Sequence, residues 1–213
     1  METGSALKRM LGWVLPRLVL VRGAAGPSPR VALTFDDGPH GDHTRAILDV
    51  LAAGGARATF FLQGSEAARH RALVRAIHEG GHQVGNHGWT HSRVSDVGLR
   101  AFVSEAVDTQ SLLEDTLGRP LPRIYRPPYG AVSPAAFLAL AREGFRFIFW
   151  SLDSEDSFVR DAGQLTRRLE TAPVRSGDVL LFHEDYTHAV AALPAVVANL
   201  KARTFALVRV VDL

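Results

Sequence analysis

The sequence predicts an α/β fold, built as a parallel β/α barrel of about seven strands. Short apolar, β-branched or aromatic runs alternate with amphipathic helical stretches from residue 31 onward, and parallel strands need the crossover connections that helices provide. Four helical stretches stop at glycine, at Gly54-Gly55, Gly80-Gly81, Gly118 and Gly144, a residue that ends a helix in the left-handed region without steric penalty. The polar residues best suited to chemistry follow different strands: Asp36 and Asp37 the first, His87 and His91 the third, Arg126 the fourth, Asp153 and Asp156 the fifth, His183 the sixth. A barrel draws its active face from several strand ends, whereas an open doubly wound sheet concentrates its site in one crevice.

Residues 31–35 form the first apolar run, and Ile47, Val50 and Leu51 give residues 43–53 a helical period. Strand 58–62, a helix over about 66–79 and a short strand 82–85 follow. A long helical run spans about 99–117, then a strand at 123–125. Ser133-Pro134 is a cap and first-turn pair for the helix that ends at Gly144, since serine accepts from the free amides and proline needs none. Strands at 145–150, 178–182 and 206–210 complete the set, with helices near 161–172 and 188–201 between them.

With 213 residues, 46% hydrophobic and 22% charged, the chain suits one large domain. It divides into a basic N-terminal segment, residues 1–30, and a domain over 31–213. Lys8, Arg9, Arg17, Arg22 and Arg30 against Glu2 give the segment a net charge of +4 and leave −2 for the rest. The overall +2 gives no sign of a nucleic-acid partner. The apolar runs 10–15 and 18–21 are too short to span a bilayer, and Arg17 interrupts what would be the core of a secretory signal. The expected location is therefore the cytoplasm. Residues 7–22 mix Lys8, Arg9, Arg17 and Arg22 with Trp13, Leu and Val, and such a mixture can lie peripherally on the inner face of a membrane. Equally, Leu18 to Val21 can add a strand or cap to the barrel, and Pro16 breaks any continuous helix.

The absence of cysteine removes disulfides and thiolates, so a metal here needs histidine and carboxylate ligands. His87 and His91 are four apart, a spacing that presents two imidazoles to one ion where the chain turns tightly, yet the pair alone decides nothing. Thr-Phe-Asp-Asp-Gly-Pro at residues 34–39 serves equally as an Asp-Gly-Pro turn or as two carboxylates whose repulsion a cation relieves. Taken together, Asp37, His87 and His91 make a set that leaves coordination positions open for water and substrate, with Asp36 as a base beside it. Arg126 in Arg-Pro-Pro-Tyr, the acidic loop Asp153-Ser-Glu-Asp156 and the histidine of Leu181-Phe-His183 are each unremarkable singly. Their gathering at one end of successive strands is not.

These five stretches resemble, in order and spacing, the motifs of the polysaccharide deacetylases, carbohydrate esterase family four, over about residues 30–210. The resemblance implies a distorted seven-stranded β/α barrel and metal-dependent N-deacetylation of an amino sugar in a polysaccharide, oligosaccharide or glycan precursor, with zinc the usual ion. It implies Asp37, His87 and His91 as ligands, Asp36 as catalytic base, Arg126 orienting that base, His183 as general acid and Asp156 tuning it. The Tyr129 backbone N–H then serves the oxyanion, with Trp150 and Leu181 beside it in the substrate site. Two departures stand out. Gly88 replaces a hydroxyl residue that braces the first histidine loop, and Ser157 replaces a Trp that lines the acyl pocket, with Phe158 adjacent. Other outcomes are deformylation or deacetylation of a lipid-linked sugar, a non-catalytic carbohydrate-binding barrel, and an assembly partner in polysaccharide synthesis. Retention of both Asp36 and His183 argues against a pure binder.

Overall fold

The structure, a computed structural model, describes residues 17–24 and 28–213. All seven expected strands form within two residues of their expected limits, and two further segments of two residues join them. In chain order they are β1 (Val19–Leu20), β2 (Arg30–Asp36), β3 (Thr59–Leu62), β4 (Gln83–Asn86), β5 (Ile124–Tyr125), β6 (Arg146–Ile148), β7 (Leu152–Asp153), β8 (Val179–His183) and β9 (Ala206–Val208). Every paired strand is parallel to its neighbour, in the order β1-β6-β5-β4-β3-β2-β8-β7, with β9 also on β2.

The chain itself draws the ends of this sheet together. β6 sits next to β1 at one end, β7 forms the other end, and only residues 149–151 separate β6 from β7. Four extended Cα steps reach about 14 Å at most, so the two edges must approach. An antiparallel bridge from Arg22 to Asp178 ties the β1 end to the β8 end. The result is the distorted barrel. The strand at residues 19–20 is the alternative open for Leu18 to Val21, and residues 7–16 lie outside the described residues.

Among the described residues eight helices connect the strands: α1 (Gly41–Ala53), α2 (Gly64–Arg69), α3 (Arg71–Glu79), α4 (Val94–Val97), α5 (Leu99–Leu117), α6 (Pro134–Arg142), α7 (Ala162–Thr171) and α8 (Thr187–Ala202). The helix expected over 66–79 is broken at His70, whose φ of −123° and ψ of 40° leave the helical region. Ser133 caps α6 by accepting from Ala136 N, and Gly118 ends α5 with φ 64°.

Side chains alternate across a strand, and here the alternation builds the site. Val31, Leu33 and Phe35 point outward into the main core with Leu180 and Phe182 of β8. Ala32, Phe61, Ile124, Ile148, Val179 and Val210 form an interior apolar cluster. One or two same-face steps beyond these residues stand Asp36, Arg126, Trp150 and His183. The apolar plug fills one end of the barrel, and the polar residues that follow it face the other.

Candidate active site

Asp37 anchors a convergent set of donors. Its Oδ1 lies 3.5 Å from His87 Nε2 and 3.3 Å from His91 Nε2, and ligand atoms of the three residues fall within 4.8 Å of one another. A tetrahedral divalent ion with bonds of about 2.1 Å has ligand atoms about 3.4 Å apart. The spacing therefore fits a metal. The protonation states fit as well. Burial opposes the charge on Asp37, but His87, His91, His183 and a hydrogen bond from Gln63 hold its carboxyl below its ordinary value. Burial also lowers His91, against the pull of Asp37, which favours the neutral imidazole that binds a metal. His87 donates from Nδ1 to the Arg126 carbonyl at 2.7 Å, a bond that leaves Nε2 free to coordinate.

Asp36 stands beside this set, its Oδ2 3.7 Å from His87 Nε2. Its other oxygen accepts from Arg126 Nη1 at 2.7 Å. Arg126 is fully buried, and four further contacts fix it. It donates from Nη1 to Thr34 Oγ1, from Nε to the Ile148 carbonyl and from Nη2 to the Phe149 carbonyl, and its guanidinium lies 4.1 Å from the Phe61 ring centroid. A buried charge so completely bonded is a rigid support.

Beside Asp36, at the end of the neighbouring strand, His183 shares a proton at Nδ1 with Asp156 Oδ1 at 2.7 Å, and its backbone N–H donates to Oδ2 at 2.8 Å. Burial pulls the imidazole down, but the hydrogen bond and charge of Asp156, with Asp36 and Asp37 behind, push it up to about 9. Asp156 is itself fully buried, and its carbonyl accepts from His188 Nε2 at 2.7 Å.

The remaining expected residues are spread over the rim and wall. Tyr129 is half exposed, with its ring 4.4 Å from that of His91. Trp150 is partly buried, its ring 5.7 Å from Arg126 Cζ, and Leu181 is buried on the interior face. Phe158 is 74% exposed, so it does not turn inward to replace the indole missing at Ser157. Asp37, His91, Tyr129 and Glu155, all in the loops of this face, hold positive φ values of 71°, 57°, 58° and 63°. Such conformations cost on the order of 1 kcal/mol each in non-glycine residues and persist where the surroundings enforce them.

Sequence reasoning missed three supports. Glu105 on α5 accepts from Trp89 N, Thr90 N and Thr90 Oγ1, which braces the loop that Gly88 leaves without a hydroxyl. Gln63 bonds Asp37 Oδ1 at 2.7 Å. Glu184 is fully buried behind the Asp36-Asp37 turn, where it accepts from Thr44 Oγ1. An added Cβ at Gly38 would fall 1.8 Å from its Oε1, so that position must be glycine. Only Glu184, next to His183, carried a local signal, as a charged residue directly following a buried strand.

A model of the polysaccharide deacetylase family matches residues 23–148. The chain belongs to that family. It is 35% identical over 190 residues to the peptidoglycan N-acetylglucosamine deacetylase PgdA of Listeria monocytogenes, covering 89% of this chain and 40% of that protein. The chain thus spans about two fifths of that relative. It is 32% identical to the chitooligosaccharide deacetylase of Azorhizobium caulinodans, over 83% of this chain and 90% of the relative. The structure of the peptidoglycan deacetylase PdaC from Bacillus subtilis superposes with a TM-score of 0.81 at 28% identity, covering 89% of this chain and 91% of that one. Polysaccharide deacetylases are metal-dependent, and Asp37, His87 and His91 are a group that can bind a metal.

Proposed function

We propose that this polysaccharide deacetylase hydrolyses the N-acetyl group of an amino sugar within a glycan, with zinc at Asp37, His87 and His91. The relatives' names support the sugar, since they act on peptidoglycan N-acetylglucosamine and on chitooligosaccharides. One observation carries the reaction type: Asp36 and His183 stand side by side at the ends of β2 and β8, one bonded to Arg126 and the other held as an imidazolium by Asp156. That is a base and an acid with distinct partners, the pattern of acid–base amide hydrolysis.

Zinc, when bound, acidifies a water and polarises the acyl carbonyl. Asp36 accepts the proton released as the water oxygen bonds to the acyl carbon. The Tyr129 backbone N–H donates to the oxygen that gains charge. His183 gives its proton to the amide nitrogen as the C–N bond breaks, so that the amine leaves neutral and the acyl group departs as a carboxylic acid. Arg126 and Asp156 keep the base and the acid oriented throughout. With Ser157 in place of an indole and Phe158 turned to solvent, the acyl pocket is wider on that side than a Trp would leave it. Any affinity for an anionic membrane surface rests on Lys8, Arg9 and Trp13, because Leu18 to Val21 belongs to the barrel wall.

The test pairs metal analysis of the purified protein with acetate release from N-acetylglucosamine oligomers and peptidoglycan fragments. One equivalent of zinc and acetate release abolished by chelation are expected. Metal-free protein with undiminished release would overturn the mechanism.

A further inference from the structure

We infer that Arg93 binds an oxyanion, a carboxylate or a phosphate, carried by the glycan beside the sugar being deacetylated. The inference rests on the deacetylase reading above and names a feature of its substrate. Its basis is a stack of three side chains leading out of the metal site. The His91 and Tyr129 ring centroids are 4.4 Å apart with the rings tilted by 52°, and the exposed Arg93 guanidinium lies over the Tyr129 ring at 3.8 Å from its centroid. The planar cation therefore sits on the rim, two ring contacts from an imidazole that can hold the metal.

Its donors are unspent. Among the described residues the Arg93 guanidinium has no hydrogen bond or ion pair beyond the stack, and the residue is exposed. Two other arginines of this face are committed, Arg126 to Asp36 and Arg168 to Glu155. The nearby carboxylate of Glu105 is occupied by Trp89 and Thr90. A guanidinium held by its face keeps its N–H edges free, and that fork matches the paired oxygens of a carboxylate or phosphate.

The platform is rigid. Tyr129 sits in the short 3-10 turn Pro128–Gly130 with φ 58°, and His91 has φ 57°. Two non-glycine residues in the left-handed region mark a geometry the surroundings impose. Stacking on such a platform removes much of the rotamer freedom that an exposed arginine otherwise loses on binding. A neutral sugar offers the fork only single hydroxyl acceptors, whereas an acid group offers paired oxygens and the opposite charge.

The experiment compares the zinc-loaded protein with its Arg93→Gln and Arg93→Lys variants on glycans of equal length. One is neutral chitopentaose, one alternates N-acetylglucosamine with a sugar bearing a lactyl carboxylate, and one is chitopentaose phosphorylated on a primary hydroxyl. The wild type is expected to show the lower KM on an acidic glycan, with that advantage shrinking as salt rises. Arg93→Gln is expected to raise KM on that glycan about tenfold, to leave kcat and the neutral substrate within about twofold, and to lose the salt dependence. Arg93→Lys keeps the charge without the fork and recovers part of the loss. Which acidic glycan responds identifies the oxyanion. Equal loss on neutral and acidic glycans would make Arg93 a mere clamp on Tyr129 and overturn the inference, as would no change on any substrate. A wild type that binds zinc but deacetylates none of the three would overturn the deacetylase reading and this inference with it.

Discussion

Asp36 and His183 are cross-strand partners, paired Cα to Cα at the ends of the parallel strands β2 and β8. Facing residues of a parallel pair share one side of the sheet, so the base and the acid reach the barrel mouth together. Each carries its own counter-charge, Arg126 for Asp36 and Asp156 for His183.

A pH profile follows from that arrangement. Activity needs His183 protonated, and with the imidazole pushed up to about 9, kcat/KM should fall as pH rises through that value. Asp156→Asn removes the main partner that raises it, so the alkaline limb should move toward the ordinary 6.5 and most activity at pH 8 should be lost. The same shift stabilises the fold. A raised histidine contributes fully below 6.5 and loses its contribution as pH climbs through about 9. An alkaline limb unmoved in Asp156→Asn would assign the acid elsewhere.

Removing the base and removing the ligands should separate cleanly. His87→Ala and His91→Ala each delete one of three donors, and metal analysis should find the ion lost. Asp36→Asn keeps the donors, so metal stays while turnover drops by about a hundredfold or more. It also leaves the buried Arg126 guanidinium without its counter-charge, and denaturant melts should show a loss of about 3 kcal/mol.

The fold and the site were legible to different depths. Most of the seven strands showed because they carry apolar runs between turn residues, and the glycine stops marked the helix ends. The two-residue strand β7 did not show, since its pairing leaves no periodicity to read, and β1 was only one of two alternatives open for Leu18 to Val21. Asp37, His87 and His91, and the pair Asp36 and His183, could be picked out because the proposed chemistry fixes their residue types. Glu105 and Gln63 were not, because each acts across the fold from an unmarked position on a helix or at a strand end. Their role depends on what they face, and a linear pattern does not record that.

Glu184 gives a prediction of the same sign as the one for His183, over a lower pH window. Burial pushes its carboxyl up to about 8, against hydrogen bonds from Thr44 and the His40 amide. Between 4.5 and about 8 the folded protein therefore holds a proton that the unfolded chain has released. Stability must fall as pH rises across that window. Glu184→Gln mimics the protonated acid and cannot ionise, so its melting temperature should exceed that of the wild type by about 5 °C at pH 8. The two should converge well below pH 4.5, where both side chains are neutral in both states. A wild type that melts higher at pH 8 would show that the carboxylate, not the acid, is the native form.

The N-terminal segment should divide functionally near residue 17. Val19 is 1% and Val21 9% exposed, both packed in the cluster with Tyr125, Phe147 and Phe149. Arg22 reaches the buried Asp178 at 2.6 Å, although its own side chain is 44% exposed and the ion pair is correspondingly weak. Deleting residues 1–22 removes both valines from the core, and at about 2 kcal/mol for each buried side chain the loss is about 4 kcal/mol, a large share of a domain's net stability. Deleting residues 1–16 takes away Lys8, Arg9 and Trp13 but no part of β1. Denaturant unfolding should therefore show the longer deletion strongly destabilised and the shorter one close to the full chain, with acetate release from a soluble oligomer preserved only in the shorter. If both deletions melt alike, β1 contributes nothing to the barrel. Sedimentation with anionic vesicles at low salt, lost in the 1–16 deletion while its fold and activity persist, would locate membrane affinity in Lys8, Arg9 and Trp13.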